Sequence, residues 1–201
     1  MFIDICYPKK NERKFIEIAK KLNTKALCFV YREEKNVSKV DSDIQLYHAL
    51  EIKNTNKLKK LKDIDFFVSS KISRNIPNKK KIVYYYSPGT KTKSFHYPID
   101  KSHVLFKELK EKDILVGLSF NEILKCTKFP AIIEKTAFFL KLCEKYKVKV
   151  FIGSFADTPY ELRSRKDLEA VLDVLKLTNK SIKKATHNLH SFLEKESESF
   201  L

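Results

Sequence analysis

Short apolar runs alternate with amphipathic segments along most of the 201-residue chain. The runs are four to seven residues long and rich in β-branched or aromatic side chains, which is typical of buried strands. They predict strands at residues 2–6, 26–31, 66–69, 82–86, 114–118 and 148–152, and a weaker strand at 46–52.

The segments between the runs repeat apolar residues with the period of an α-helix. They predict helices at residues 12–22, 102–110, 130–146, 166–177 and 181–193. Strands that alternate with helices indicate parallel strands joined by crossover helices. An open doubly wound sheet and a closed barrel both fit this order.

The number of strand candidates favours a barrel, although 201 residues is short beside the roughly 250 of a typical (β/α)₈ barrel. We therefore predict an α/β fold, a compact and irregular TIM-barrel-like barrel of mostly parallel strands with outer helices. Residues 1–201 should form one barrel domain, and residues 194–201 a frayed acidic tail.

The chain is strongly basic, with 41 Lys and Arg against 25 Asp and Glu and a formal net charge of +16. A surplus of this size suits a polyanion partner, because each neutralised phosphate releases counterions. Only five basic residues are Arg, however, and a Lys-rich surface can also reflect genomic bias. The charge therefore indicates a nucleic acid without specifying which.

The sequence also argues against a nucleotide-binding protein with a Gly-rich phosphate loop, a protein with a C-x-x-C pair, and a membrane or secreted protein. The three glycines (Gly89, Gly117 and Gly153) form no Gly-rich phosphate loop, and the four cysteines form no C-x-x-C pair. No run approaches the roughly 20 apolar residues that span a bilayer, and the first residues do not resemble a signal peptide. We expect a cytoplasmic protein without membrane contact.

Candidates for catalysis are sparse. Asp4, His96, His103 and Asp157 are the only ligands at hand for a metal-dependent phosphoesterase, and their spacing matches no metal motif. Ser154 follows a predicted strand, where barrels place functional groups, but a small residue there also suits a tight turn. We predict no catalytic residue and no metal site.

The most distinctive segment is YELRSRKDL at residues 160–168, directly before a predicted helix. Ser164 can cap that helix by accepting from the backbone N–H of Asp167. A helix start attracts anions, so Arg163, Arg165 and Lys166 form a candidate phosphate clamp.

A structural role stays open as an alternative to RNA binding, both for the arginines of this segment and for several aromatic residues. One of the two arginines of this segment could instead pair with Asp157 or Asp167 and pin the loop. Two long loops, at residues 71–81 and 87–100, offer Arg74, Lys91 and Lys93 as further RNA contacts. The aromatics beside them could stack unpaired bases or belong to the core: Tyr84, Tyr85, Tyr86, Phe95 and Tyr97.

Four pieces of the second half, taken in order, resemble ribonuclease P protein component 3, the barrel-type protein subunit of archaeal and eukaryotic ribonuclease P. They are ILVGLSF at 114–120, LCEKYKV at 142–148, FIGS at 151–154 and YELRSRKDL at 160–168. The first half matches only in the order of its elements. The chain departs from the family at Asn121 and Phe129, where the family often has Arg, and at residues 186–189, where it often has Ser-x-x-Pro.

The resemblance implies a TIM-barrel-like fold related to the PHP phosphoesterases, without their metal-binding histidines. It implies an accessory subunit of an endoribonuclease that removes the 5′ leader of precursor tRNA. The catalytic RNA carries that chemistry with magnesium, so the protein would bind no cofactor. Its partners would be ribonuclease P RNA, precursor tRNA, protein component 2 and other protein subunits. A metal-dependent PHP-type phosphoesterase is the alternative, and a protein-interaction scaffold is a third reading.

Overall fold

Seven parallel strands form one sheet in chain order. The structure is a computed structural model that describes residues 1–52, 61, 63–69, 82–86, 103–126 and 129–198. The strands are β1 Asp4–Cys6, β2 Ala26–Tyr31, β3 Gln45–Glu51, β4 Phe66–Ser69, β5 Ile82–Tyr86, β6 Leu115–Ser119 and β7 Lys149–Gly153. All seven were predicted, and most of their bounds lie within one residue of the prediction.

The chain after β7 returns to β1 and nearly closes the sheet. Ala156 and Cys6 form a parallel bridge. The N–H of Tyr7 donates to the carbonyl of Ala156 at 2.8 Å, and the N–H of Ala156 donates to the carbonyl of Ile5 at 3.2 Å. The fold is therefore a TIM-barrel-like α/β barrel, as predicted, and not an open doubly wound sheet.

Seven α-helices accompany the strands in the described residues. They are α1 Glu12–Lys21, α2 His103–Glu111, α3 Phe120–Leu124, α4 Phe129–Tyr146, α5 Arg165–Val174, α6 Asn179–Ala185 and α7 Asn188–Glu198. Short 3₁₀ turns occur at Glu34–Asn36 and Pro159–Glu161. None of the helices in the described part of the chain is both long and apolar enough to cross a membrane.

The prediction of one helix at residues 181–193 is wrong, because α6 ends at Ala185 and α7 begins at Asn188. At the break, the hydroxyl of Thr186 donates to the carbonyl of Lys183, and the Nδ1 atom of His187 lies 2.8 Å from the same oxygen. Such local bonds compete with the helical ladder. The helix α7 reaches Glu198, and fraying of the tail stays a prediction.

Alternate residues of the strands divide the core into an inner and an outer layer. In β2, Ala26, Cys28 and Val30 belong to the cluster inside the barrel, whereas Leu27 and Phe29 pack outward towards α1. Both sets are buried, which explains why the strands read as continuous apolar runs.

Small and large residues share the interior of the barrel. At Gly117 in β6, a Cβ atom would lie 2.5 Å from the ring of Phe151, so only glycine leaves room for that ring. The α7 residues Leu189 and Leu193 pack in the same cluster as Phe66, the first residue of β4. Helix α7 therefore covers the amino-terminal end of the barrel, and the opposite end carries the loops that follow the strands.

Candidate nucleic-acid interface

The basic loop, defined by Arg163, Arg165 and Lys166, lies where the connection after β7 enters the first turn of α5. It therefore belongs to the carboxyl end of the strands, the face on which parallel barrels carry their functional groups. Arg163 precedes the helix, while Arg165 and Lys166 are its first two residues. The structure thus brings the three predicted residues together at one helix start.

A buried carboxylate in β1 holds the first part of this loop. Asp4 is 1% exposed, and its oxygens accept from the N–H and the hydroxyl of Ser154, both at 2.6 Å. The hydroxyl of Ser154 in turn accepts from the backbone N–H of Arg163 at 2.9 Å. Ser154 is therefore a structural residue that ties the basic loop to the barrel.

Burial raises the pKa of Asp4 from 3.8 to about 6, although the hydrogen bonds from Ser154, Ile5 and Arg163 act in the opposite direction. Desolvation disfavours the ionised form of a carboxyl, whereas donors favour it. In this site the desolvation is the larger effect. Asp4 is accordingly a protonatable link between β1 and the basic loop.

A second carboxylate, that of Glu161, organises the chain between β7 and the basic loop. It accepts from the backbone N–H groups of Asp157 at 2.8 Å and Thr158 at 3.2 Å, which completes a capping box of the 3₁₀ turn. Lys125 pairs with Glu161 at 2.8 Å and with Asp157 at 3.3 Å. Burial raises the pKa of Glu161, but its bonds to Lys125 and the two N–H groups outweigh it, so the pKa lies below its usual value.

Asn121 lies in α3, directly after β6, and contacts the 3₁₀ turn Pro159–Glu161. Its side chain is buried and donates to the carbonyl of Phe155 and to Glu161, each at 3.3 Å. Its backbone N–H donates to the carbonyl of Ser154 at 3.2 Å. Asn121, one of the positions at which the sequence departs from the pattern of the family that it resembles, is therefore part of the support of the loop.

The helix that follows the basic loop begins as predicted. The hydroxyl of Ser164 accepts from the N–H of Asp167 at 3.3 Å, and Asp167 accepts from the N–H of Ser164 at 3.0 Å. This reciprocal capping box satisfies two N–H groups of the first turn and is worth about 1 kcal/mol. It fixes the direction in which α5 leaves the loop.

The two arginines are held by different contacts. The Nη1 atom of Arg163 donates to the carbonyls of Tyr160 and Leu162, both at 2.9 Å, and its guanidinium lies 5.7 Å from the ring centre of Phe120. The Nε atom of Arg165 donates to Glu169 at 2.7 Å. In the described residues neither arginine pairs with Asp157 or Asp167, because Arg163 donates to backbone carbonyls and the carboxylate partner of Arg165 is Glu169.

These contacts leave donors for an anion. Among the described residues, Arg163 uses only its Nη1 atom and Arg165 only its Nε atom as donors to the protein. Lys166 is exposed. The guanidinium groups are thus positioned but not saturated, which is what bidentate recognition of a phosphate requires.

The other candidate residues lie elsewhere. Arg74, Lys91 and Lys93, together with Phe95, His96 and Tyr97, lie outside the described residues. Tyr84 and Tyr86 are buried, which places them in the core and not on a base-stacking surface. Tyr85 is half-buried, and its ring lies 5.4 Å from that of Phe155.

The candidate metal ligands are engaged separately in the described part of the chain. Asp4 binds Ser154, Asp157 pairs with Lys125, and His103 of α2 contacts Tyr146 of α4. No three His, Cys, Asp or Glu side chains of the described residues come together as metal ligands.

Sequence reasoning missed the support of the loop, although one local signal was present. The residues TPYE at 158–161 carry the Ser/Thr-x-x-Glu pattern of a capping box, which marks the 3₁₀ turn. The contacts of Asn121 and Lys125 have no such signal, because they join residues that are far apart in the sequence.

Comparison with known proteins shows a likeness of fold to a solved structure. No family model matches the sequence. No curated protein matches it either. The chain superposes on a chain of a solved structure described as the "cryo-EM structure of archaeal Ribonuclease P with mature tRNA", with a TM-score of 0.70 and 18% sequence identity. The superposition covers 96% of this chain and 90% of that chain, so the likeness extends over the whole barrel fold.

Proposed function

We propose that this chain is a protein subunit of ribonuclease P, of the type called protein component 3. The likeness of fold along almost the whole chain to a chain of archaeal ribonuclease P carries this proposal. The four ordered sequence pieces at 114–168 support it independently, because they resemble that family in both content and order. The subunit assists a hydrolytic endoribonuclease and supplies no catalytic residue.

In this proposal the basic loop binds the phosphates of ribonuclease P RNA or of precursor tRNA. Arg163, Arg165 and Lys166 make these contacts, with Arg74, Lys91 and Lys93 as further candidates. The geometry of the loop supports this role, since the guanidinium groups of Arg163 and Arg165 are oriented by the protein and retain free donors. Protein component 2 is the proposed protein partner, and the catalytic RNA uses magnesium.

Reconstitution tests the proposal directly. Cleavage of precursor tRNA would be measured with the catalytic RNA and protein component 2, in the presence and absence of this chain. We expect this chain to raise the cleavage rate, because a bound subunit stabilises the active arrangement of the RNA. An unchanged rate over a range of magnesium concentrations would contradict the proposal.

The basic loop is tested by the double variant Arg163→Ala/Arg165→Ala. If both arginines bind phosphate, the affinity for ribonuclease P RNA falls and the slope of log affinity against log salt shrinks by roughly one per lost contact. The matched control is Lys180→Ala/Lys184→Ala, which removes the same charge from the exposed face of α6. Equal salt slopes for the two double variants would exclude a specific role of the loop.

A further inference from the structure

A cavity of about 300 Å³ opens beside the carboxyl ends of β1 and β2. Tyr7 directly follows β1, Tyr31 ends β2, and Arg32 comes next. Lys9 and Lys10, in the connection that leads to α1, and Glu12, its first residue, complete the wall. None of these residues belongs to the basic loop.

Glu12 is the unusual member of this wall. The residue is 7% exposed, yet it carries a carboxylate. Its hydrogen-bond partner among the described residues is the hydroxyl of Tyr31 at 3.5 Å, well beyond the roughly 2.5–3.0 Å of a normal O–H···O bond. That hydroxyl also lies 3.4 Å from the carbonyl of Ser38, so it is shared between two weak contacts. A buried carboxylate favours a ligand that offers strong donors.

The other wall residues include aromatic and cationic side chains, in contrast to the acidic Glu12. The guanidinium of Arg32 lies 5.8 Å from the ring centre of Tyr7, and the Arg32 side chain is 68% exposed. Lys9 and Lys10 are exposed at the rim. The cavity therefore combines one buried acceptor, a planar stacking surface and a cationic rim.

We propose that this cavity binds one unpaired guanine nucleotide of an RNA strand. Guanine presents two adjacent donors, N1–H and N2–H, on the edge that a carboxylate such as that of Glu12 can accept in a bidentate manner. The ring stacks on Tyr7 or Arg32, and the rim cations neutralise the flanking phosphates. A volume of about 300 Å³ lies at the lower end of small-molecule pockets, which suits a single nucleotide.

The cationic rim favours a nucleotide over a basic side chain of a partner protein. A partner's arginine could pair with Glu12, but it would have to enter between Lys9, Lys10 and Arg32, which repel it. A nucleotide brings a donor edge and a negative phosphate together. It matches the acceptor inside the cavity and the cations at its rim.

The cavity lies close to the basic loop. The N–H of Tyr7 donates to the carbonyl of Ala156 at 2.8 Å, in the segment that leads to the loop. Helix α1 also contacts the 3₁₀ turn Pro159–Glu161. One RNA strand could therefore touch both places, and in this respect the inference rests on the proposed function, which supplies RNA as the ligand.

The test uses fluorescein-labelled single-stranded RNA of nine nucleotides, either all uridine or with one central guanosine. Uracil offers one N–H donor on this edge and guanine offers two. We expect the full-length protein to bind the guanosine oligomer about tenfold more tightly, the effect of one bidentate base contact. Oligomers with one central adenosine or cytidine should bind like oligouridine within about threefold.

The variant Glu12→Gln should abolish the preference for guanosine and leave the affinity for oligouridine within about twofold, because it replaces one acceptor oxygen with a donor. The matched control is Glu17→Gln, an exposed residue of the same helix, which should keep the preference. Arg32→Ala removes an exposed side chain together with its ion pair to Glu51 at 3.6 Å, and it should weaken the binding of both oligomers by a similar factor. Thermal unfolding checks that each variant folds.

Two results would overturn the inference: equal binding of all oligomers by the wild-type protein, or a guanosine preference that survives Glu12→Gln. Competition by a short arginine peptide that is lost in Glu12→Gln, without any base preference, would assign the cavity to a protein partner instead. Failure of the proposed function can be told apart from failure of the cavity proposal. It leaves precursor tRNA cleavage unstimulated whatever the base preference, whereas failure of the cavity removes the base preference and leaves the stimulation intact.

Discussion

At the scale of the residue, Asp4 joins the stability of the barrel to the position of the basic loop. Its carboxylate accepts from Ser154, and Ser154 holds the backbone of Arg163. A buried carboxylate bonded in this way serves as a rigid anchor while it is ionised. Its raised pKa of about 6 also makes the stability of the protein depend on pH in an unusual direction.

The direction follows from proton binding. In the unfolded chain Asp4 titrates near its ordinary pKa of 3.8, and in the folded protein near 6. Between these values the folded state binds more protons, so the contribution of Asp4 to the free energy of unfolding falls as the pH rises from about 4 to about 6. Above pH 6 the contribution of Asp4 to the free energy of unfolding no longer changes with pH. Its total decrease between the two pKa values is on the order of 3 kcal/mol.

The variant Asp4→Asn removes this titration and keeps the shape of the side chain. We expect the free energy of unfolding of the wild type, minus that of the variant, to decrease between pH 4.5 and 6.5. Urea denaturation at several pH values measures the difference, and subtraction cancels the other carboxylates. Parallel pH profiles for the two proteins would show that Asp4 titrates equally in both states.

At the scale of the element, four helices end in the same way without glycine. Asn23, Asp113, Lys147 and Lys176 follow the ends of α1, α2, α4 and α5 with φ between 49° and 62°, in the left-handed region. At the end of α4, the N–H of Val148 donates to the carbonyl of Cys143 at 2.8 Å, the long-range bond of a Schellman motif. A non-glycine residue with its backbone in this region lowers the free energy of unfolding by about 1 kcal/mol.

Lys147→Gly should therefore stabilise the protein by about 0.5–1 kcal/mol, because glycine adopts the left-handed region without strain. The matched control is Lys141→Gly, an exposed position inside the same helix. There glycine should lower the free energy of unfolding by about 1 kcal/mol. Chemical denaturation measures both, and a loss of stability in both variants would refute the strain at Lys147.

At the scale of the whole molecule, the described closure between β1 and the chain after β7 forms a weak seam of the barrel. The central strands β2 and β3 pair over six residues, from Ala26 with Gln45 to Tyr31 with Leu50. Between β1 and the chain after β7, the described closure is the bridge from Cys6 to Ala156 with its neighbouring hydrogen bonds. The cavity and the basic loop lie on either side of this seam.

We expect the seam to open without unfolding of the whole barrel. In native-state hydrogen exchange, the amides of Tyr7 and Ala156 should open at a free energy about 2 kcal/mol or more below that of the Phe29 amide in β2. Fewer neighbouring hydrogen bonds have to break at the seam than between β2 and β3. Equal opening free energies for these three amides would show that the barrel closes as cooperatively there as elsewhere.

Much of the fold could be predicted from local patterns. Parallel strands with helices on the outer face and packed side chains inside are buried on both sides, so each reads as a continuous apolar run, as β2 does. The helix cap formed by Ser164 and Asp167 was predictable for a similar reason, since the two residues are three apart. The break between α6 and α7 was missed because Thr186 and His187 are unremarkable in a helical pattern.

The sequence alone determined which segments become strands, where most of the helices lie, and which cations stand at the start of α5, because these properties depend on neighbouring residues. Tertiary structure decided what those residues do. Ser154 binds Asp4 across 150 positions, and Asn121 reaches Glu161 across 40. Such contacts exist only once the barrel closes and brings the ends of β1, β6 and β7 together. Tertiary structure likewise buries Glu12 and places it in the wall of the cavity.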